Sequence, residues 1–445
     1  MEILELSYKH LPGILKACFI YLGVFLEDKD IPVRKLIRFW MAEGFIEETE
    51  RKSLEEVAED QLMELVGRSL VSIHKTRSNG KVRTSRLHDL LLDLCHLKAK
   101  EENFQQLVNK HDEPYASFPD SEYDLEFGSN NFLAPVIFNS YRLSFNVKRP
   151  HFVDSRPSGP VARSLTFCAS SDSEPKCPYD ISFIGNNFKL LRLLDLESIM
   201  ANSFPDEIGL MVQLRYLALS RYMQSIPPSV SKLWKLETLV AKGSRGKVIL
   251  PETIWSMVRL RHLHVNNHAV FNLQGLAGSS FHLENLVSFS TPSLSCRLFA
   301  LVELQNLRIF SSLKSLKKLS LSNFRLQANH LTVIGKLPNP RVVKLRAGTL
   351  EGQKWDTREE EFKELKFLEL DTMSLVEWDA SYDHLPSPEQ LVLRNCKGLE
   401  RIPSEFAGIA TLQKVEVHWC GQSVEEPAKE INEETPEIKV IISSL

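Results

Sequence analysis

Apolar residues recur from about residue 140 onward in the pattern LxxLxxLxL, with a period of 22 to 25 residues. The clearest copies share a Leu or Val at the second anchor position: Leu194, Leu217, Leu239, Leu263, Leu319, Val343, Leu368, Leu391 and Val415. A unit of this length cannot bury its own leucines, whereas stacked units form a continuous apolar core. The pattern therefore predicts an α/β fold, a leucine-rich-repeat solenoid in which each L-x-L segment is a strand of a curved parallel sheet.

The repeats extend beyond these copies. Two strand-like segments at 141–146 and 163–167 continue the array upstream, and several units close with a Leu-Pro-x-x-Ile segment that should return the chain across the convex side. The stretch 266–315 fits the period poorly, apart from one repeat near Phe289. We expect the repeat domain to occupy 139–445 and to follow a linker over 109–138.

Residues 1–108 follow different periods. Apolar spacings of three and four predict four helices: 11–21, 33–46, one that begins at Ser53, and 89–108. Ser53 lies three residues before Glu56, which is the spacing of a capping box. A period of two over 69–75 and 81–87, around the turn 78–80, predicts a β-hairpin. Helices followed by such a hairpin predict a winged-helix domain over 1–108.

Charge and cysteine usage narrow the function classes. The first 100 residues carry 16 basic and 16 acidic side chains, and the helix 33–46, taken as the one that would enter a DNA groove, has packing residues such as Trp40. We therefore expect no nucleic-acid partner. The seven cysteines are scattered, no Asn-x-Ser/Thr sequon occurs, and no apolar run is long enough to cross a bilayer. These features favour a cytoplasmic (cytosolic) or nuclear protein, and no catalytic arrangement stands out that would indicate an enzyme.

The segment 6–46, LSYKHLPGILKACFIYLGVFLEDKDIPVRKLIRFWMAEGFI, closely resembles the winged-helix subdomain of plant coiled-coil-type nucleotide-binding leucine-rich-repeat (NLR) receptors. Leu87-His88-Asp89 stands where that family has Met-His-Asp, and the repeats are similar to the late-blight resistance subgroup. Phe25-Leu26 departs from the family's Phe-Pro. The resemblance implies an intracellular immune receptor, active in the cytoplasm and, once activated, at membranes or in the nucleus.

The resemblance also implies a nucleotide switch. In the family this His approaches the β-phosphate of ADP, so His88, with Leu87 and Asp89 beside it, is the expected phosphate sensor. Asp89 is expected to cap the following helix. The sequence contains no GxxxxGK[ST] loop, so we expect ADP or ATP to be held tightly only by a module outside these residues. A truncated paralogue and a gene model that lost its 5′ part both fit, and a scaffold or decoy without any switch is the alternative function.

The repeats are expected to bind a pathogen effector or a guarded host protein, and the winged helix an intact receptor or a separate nucleotide-binding module. The candidate partner-binding residues flank the anchor leucines on the concave side: His262, His264, Lys344, Arg346, Glu369, Asp371, Arg394, Lys414, Glu416 and His418. Their mixed charge suits a protein partner. A metal site at His262 and His264 is not expected, because no third ligand lies nearby in the sequence.

Overall fold

The computed structural model describes thirteen stretches: 2–27, 29–77, 80–117, 136–168, 178–221, 225–243, 247–265, 268–271, 283, 285–290, 293–294, 313–322 and 325–444. The chain divides into two compact units. Unit 1 comprises Met1–Met223 and Lys235–Thr238, and unit 2 comprises Gln224–Trp234 and Leu239–Leu445. Among the described residues, no helix is long and apolar enough to cross a membrane.

Unit 1 begins with five helices: α1 (Glu2–Lys9), α2 (Gly13–Tyr21), α3 (Val33–Glu43), α4 (Leu54–Gly67) and α5 (Asp89–Glu101). The predicted capping box is confirmed, because the backbone N–H and the hydroxyl of Ser53 both donate to Glu56 Oε2, at 2.9 and 2.8 Å. Helix α3 ends three residues earlier than predicted. Gly44 adopts φ 82°, a left-handed conformation that suits glycine, and its N–H caps the carbonyls of Trp40 and Met41.

The predicted β-hairpin is confirmed. Its strands β2 (Ser72–Thr76) and β3 (Val82–Arg86) pair in antiparallel fashion, and a two-residue strand β1 (Ile31–Pro32) adds to the other side of β3. Residues 78 and 79 of the predicted turn lie outside the described residues. The helices pack around fully buried side chains, among them Phe19, Leu36 and Trp40. This arrangement is a winged helix.

The prediction of one helix over 89–108 is wrong. Helix α5 ends at Glu101, because Asn103 adopts φ 47° and the N–H of Phe104 turns back to the carbonyl of Ala99 at 2.8 Å. The residues that follow form strand β4 (Gln106–Asn109), which pairs with the first repeat strand. The boundary drawn at 108 therefore falls inside a strand. The expected linker also contributes to packing, since Tyr115 is buried.

The repeat strands of unit 1 form one parallel sheet. In sheet order they are β4, β5 (Arg142–Asn146), β6 (Ser164–Phe167), β7 (Leu193–Ala201) and β8 (Tyr216–Arg221). Their anchor leucines lie in lateral register: Leu143, Leu165, Leu194 and Leu217. These anchors are at most 2% exposed, so they form the apolar core that the repeat pattern predicted. Two short helices, α6 (Arg149–Ser155) and α7 (Phe183–Asn187), lie between these strands in the sequence.

The remaining strands, in chain order, are β9 (Thr238–Gly243), β10 (Lys247–Leu250), β11 (His262–Val265), β12 (His268–Phe271), β13 (Ser288–Ser290), β14 (Ser293–Leu294), β15 (Lys318–Ser322), β16 (Arg325–Leu326), β17 (Val342–Arg346), β18 (Thr349–Leu350), β19 (Lys354–Asp356), β20 (Phe367–Asp371), β21 (Glu377–Asp379), β22 (Gln390–Arg394), β23 (Lys414–His418) and β24 (Lys439–Ser443). The main parallel sheet of unit 2 runs β9-β11-β13-β15-β17-β20-β22-β23-β24. The other strands build smaller parallel sheets, β10-β12-β14, β16-β18 and β19-β21.

The sheet register of unit 2 confirms the predicted repeats. Leu319, Val343, Leu368, Leu391 and Val415 are lateral partners on successive strands. Several Pro-x-x segments form single 3₁₀ turns, as in Glu252–Ser256 and Ser404–Gly408. The described residues of unit 2 also form two helices, α8 (Ala328–Gly335) and α9 (Gln422–Glu434). The residues that flank the anchors on each strand project to the opposite side of the sheet, which we term the front face.

Candidate functional site

The predicted phosphate sensor lies at the junction of β3 and α5. His88 and Asp89 are exposed, and Leu87 before them is half-buried. The carbonyl of His88 accepts the N–H groups of Leu91 and Leu92, at 2.8 and 3.0 Å, so His88 is the N-cap residue of α5. The prediction that Asp89 is the N-cap was therefore wrong by one residue, because the helical turn closes on the His88 carbonyl.

This geometry makes His88 accessible at a helix start. The positive end of the helix dipole favours an anion there, and an imidazole N–H is a suitable donor to a phosphate oxygen. The carboxylate of Asp89, in the first turn of α5, also lies near the positive end of the helix dipole. Phosphate sensing by His88 stays a prediction that rests on the family resemblance.

A contact that the sequence did not reveal joins α3 to the front face of the first repeats. Lys35 Nζ lies 2.5 Å from Asp195 Oδ2 and 3.2 Å from Glu197 Oε2. The Asp195 side chain is 5% exposed. Burial acts to lower the pKa of Lys35, but Asp195, Tyr216 and Glu197 together outweigh burial and hold that pKa well above its usual range. Burial raises the pKa of Asp195 more than Lys35 lowers it, so the two ends of this contact respond to burial in opposite ways.

A second ion pair of the same kind lies at the end of α3. Arg142 Nε on β5 donates to Glu43 Oε2 at 2.8 Å, and the Glu43 side chain is 1% exposed. The Arg142 guanidinium also stacks over the Phe104 ring at 4.2 Å. Phe39, which lies between Lys35 and Glu43 in the sequence of α3, meets the Tyr216 ring edge to face at 4.9 Å. Arg142, Asp195 and Tyr216 are front-face residues of β5, β7 and β8, so the winged helix covers this part of the front face.

The structure corrects the expectation about a DNA-binding helix. In a helix-turn-helix arrangement the second helix enters the groove, and here that helix is α4, directly before the hairpin, and not α3. Helix α4 carries five acidic residues and no Lys or Arg. Helix α3 is instead largely buried and contacts the repeats. Both facts oppose binding of a phosphate backbone to this module.

Most of the predicted partner-binding residues lie in two lateral rows on the front face of unit 2. The middle row contains Lys344, Glu369, Val392 and Glu416, and the row at the strand ends contains Arg346, Asp371, Arg394 and His418. Lys414 begins its strand beside Gln390. The structure therefore brings together eight of the ten predicted residues, from β17 to β23.

Glu369 is the centre of the first charged cluster. Its carboxylate forms an ion pair with Lys344 Nζ and accepts hydrogen bonds from Arg346 Nε at 2.7 Å and Arg346 Nη2 at 2.5 Å. Burial acts to raise the pKa of Glu369, but its two cationic neighbours outweigh burial and leave the pKa lower than usual. Asp371 accepts a hydrogen bond from the Thr372 hydroxyl at 2.8 Å.

Glu416 is the centre of the second cluster, one repeat unit beyond Val392. Lys414 Nζ lies 2.7 Å from its carboxylate, His418 Nε2 3.2 Å and Arg394 Nη2 3.8 Å. Gln390 Nε2 donates to the same carboxylate at 2.8 Å, a contact that the sequence analysis missed. Burial raises the pKa of Glu416 less than the cations lower it, so this carboxyl is also ionised at neutral pH.

His262 and His264 lie on β11, away from these clusters. His262 Nδ1 is 2.8 Å from Ser288 Oγ, and His264 Nδ1 bonds to Ser290 Oγ on β13. His262 is buried, so it contributes to packing between neighbouring repeats more than to a surface. Partner binding by His262, and by His264, which is partly exposed, stays a prediction.

Comparison with known families bears on both modules. A model described as the disease resistance protein winged helix domain matches residues 24–95, and a leucine-rich repeat region model matches 162–311. A putative late blight resistance protein homolog of Solanum demissum is 33% identical over 495 residues, which cover 97% of this chain and 36% of that relative. The chain is an NLR-type winged-helix and leucine-rich-repeat region.

Other relatives agree with this assignment. A second late blight resistance homolog of the same plant is 34% identical over 448 residues, with 97% of this chain and 31% of the relative covered. The NLR-type region thus spans about a third of the length of the curated relatives that it matches. The leucine-rich-repeat ectodomain of the Arabidopsis thaliana receptor kinase GASSHO1/SCHENGEN3 matches with 13% identity and a TM-score of 0.33, over 61% of this chain and 38% of that one. A similarity this weak bears on neither fold nor function.

Proposed function

We propose that this region belongs to an intracellular plant immune receptor that acts by binding and not by catalysis. The front face of β17 to β23 binds a pathogen effector or a guarded host protein. The winged helix relays that event to an ADP/ATP switch in the cytoplasm. The late blight resistance homologs and the disease-resistance winged-helix match support this role.

The observation that carries the proposal is the docking of α3 on the first repeats. A buried charge left without its counter-charge costs several kcal/mol, so the contact favours the docked arrangement in which the charges meet over misaligned ones in which they do not. Lys35–Asp195 and Arg142–Glu43 are two such pairs, on opposite ends of one helix. A helix held in this way transmits displacement of the repeat strands to the rest of the winged helix.

His88 is the residue through which this chain contacts the nucleotide. The sequence holds no phosphate-wrapping loop, so ADP is bound by a nucleotide-binding module that packs against the start of α5. His88 then supplies a donor to the phosphate, and the repeats set whether the winged helix can leave it. In this scheme the chain senses the nucleotide but does not hold it alone.

Association with such a module tests the proposal. The purified chain is mixed with the nucleotide-binding region of a Solanum demissum homolog, loaded with ADP or ATP, and complex formation is followed by analytical ultracentrifugation. We expect a complex with the ADP form that His88→Ala weakens and that exposed His10→Ala, a matched control, leaves unchanged. Absence of any complex, or equal effects of the two variants, would contradict the proposed relay.

A further inference from the structure

Trp419 is an unusual residue for its position. It directly follows β23, adopts φ 55° and is 46% exposed. Its ring lies 5.9 Å from the His418 ring, centroid to centroid, which places the indole beside the front face. A bulky side chain with a left-handed backbone is uncommon, and half-exposure means that burial does not compensate for it.

The left-handed conformation itself belongs to the repeat. Ala347, Thr372 and Asn395 follow β17, β20 and β22 with φ of 46°, 53° and 51°. Each N–H donates to the last residue of the next strand, and the N–H of Trp419 likewise donates to the Ser443 carbonyl at 2.8 Å. A small or Asn side chain meets that backbone requirement. The repeat therefore explains the bend after β23 but gives no reason for tryptophan there.

Arg394 lies beside this tryptophan with most of its hydrogen-bonding capacity unused. It is the lateral partner of His418, the residue before Trp419. Its Nη2 is 3.8 Å from Glu416, which is beyond hydrogen-bond length, and its buried Nε has no partner among the described residues. A guanidinium presents a planar pair of donors that matches a carboxylate.

The local charge favours an anionic ligand. Arg394, Lys414 and Lys439 on β22, β23 and β24 are cationic, and Glu416 is the acidic residue on these three strands. That carboxylate is already shared among Lys414, His418 and Gln390. Lys414 and Lys439 begin their strands, whereas Arg394 ends β22 between Asp371 and His418, so the Arg394 guanidinium is the cation at the same end of the strands as the exposed indole.

We propose that Arg394 and Trp419 form a recognition corner for a partner segment that carries a carboxylate next to an apolar side chain. The carboxylate accepts two hydrogen bonds from the Arg394 guanidinium, and the apolar side chain packs on the indole. Arg and Trp are the residue types that most often dominate binding energy in protein interfaces. This inference rests on the proposed function, and it specifies the chemistry of the partner that the repeats bind.

A defined peptide pair tests the recognition corner. Fluorescein-labelled Gly-Leu-Glu-Asp-Leu-Gly amide and its Gln/Asn counterpart are titrated with the full chain, and fluorescence polarisation gives each Kd. We expect the acidic peptide to bind at least about tenfold more tightly. Arg394→Gln and Trp419→Ala should each either abolish the preference for the acidic peptide or weaken the binding of that peptide by about tenfold. Arg401→Gln and Trp234→Ala, which change an exposed Arg and a Trp that is 51% exposed, serve as matched controls and should bind normally.

The inference would be overturned by equal binding of the two peptides, by absence of binding by the acidic peptide, or by equal loss in the matched control variants. A phosphoserine peptide that binds more tightly than the carboxylate peptide would also overturn it. Thermal unfolding of each variant shows whether it is folded. If Arg394→Gln abolishes peptide binding but not ADP-dependent complex formation, the corner is confirmed separately from the relay. Peptide binding without any such complex confirms the corner and contradicts the relay.

Discussion

Asp195→Asn removes the negative charge from the buried pair that joins α3 to β7. The substitution keeps an oxygen that can accept the Glu197 N–H, which Asp195 Oδ1 accepts at 3.2 Å. Leaving one partner of a buried pair without its counter-charge costs about 3–5 kcal/mol. Lys35 is 27% exposed and keeps Glu197 at 3.2 Å, so we reduce that figure to about 2 kcal/mol for undocking of α3.

Hydrogen–deuterium exchange measures this change locally, which is preferable because a chain of two units need not unfold in one step. A cost of about 2 kcal/mol raises the open population roughly 30-fold. We expect peptides covering 33–43 and 193–201 to exchange faster by that factor, and peptides of unit 2 to be unchanged. Lys35→Met should act alike, and the double variant should be less than additive, because each change removes the same pair.

Lys52→Met is the matched control. Lys52 forms an ion pair with Asp60 at 2.6 Å, and both side chains are more than half exposed, so its loss should leave exchange in α3 at the wild-type rate. If Asp195→Asn and Lys52→Met change exchange in α3 equally, or if neither does, the docking contact does not carry the energy that its burial implies.

Three further predictions concern the rest of the chain. Glu369→Gln should destabilise unit 2 at pH 7 by about 1–3 kcal/mol, because Lys344 and Arg346 lose their carboxylate. The native pKa of Glu369 is lowered from 4.5, so its contribution is complete above that pH and is lost as the pH falls through the native value. Denaturant titrations at pH 7 and below about pH 4 should therefore show the difference from wild type shrinking, and a constant difference would contradict it. Trp378→Ala should cost about 3–5 kcal/mol by calorimetry, because its ring stacks on Trp355 at 5.3 Å, and a loss below about 1 kcal/mol would refute that packing role. Titration calorimetry of ADP into the chain alone should detect no submicromolar binding, and its detection would show that a phosphate loop is unnecessary.

The repeat architecture could be predicted because its cause is local and periodic. Each anchor, such as Leu319 or Leu368, is needed in every unit to fill the same apolar column, so the spacing is written into the sequence. The capping box at Ser53 is equally local. The prediction failed for the helix 89–108, where two local signals competed. The apolar spacing continues past Glu101, but the left-handed conformation of Asn103 ends the helix there.

The α3 contact could not be predicted, because its partners are far apart in the chain. Lys35 and Asp195 are about 160 residues apart, and neither stands in a motif that specifies the other. The one available signal is Asp195 itself, a carboxylate between two anchor leucines in the sequence LLDLE. On the front face, sequence alternation placed Glu369 and Glu416 correctly, but lateral register alone shows which cations share each carboxylate.

Ion leakage from leaf tissue tests the relay most directly. Wild-type chain, Asp195→Asn and Lys52→Met are each co-expressed with the nucleotide-binding region of a late blight resistance homolog, at matched protein levels. The account predicts that Asp195→Asn raises leakage without any pathogen protein, because it frees α3 from the first repeats, while the other two stay at background. Background leakage from Asp195→Asn, in a variant whose α3 exchanges faster, would contradict the claim that this contact restrains signalling.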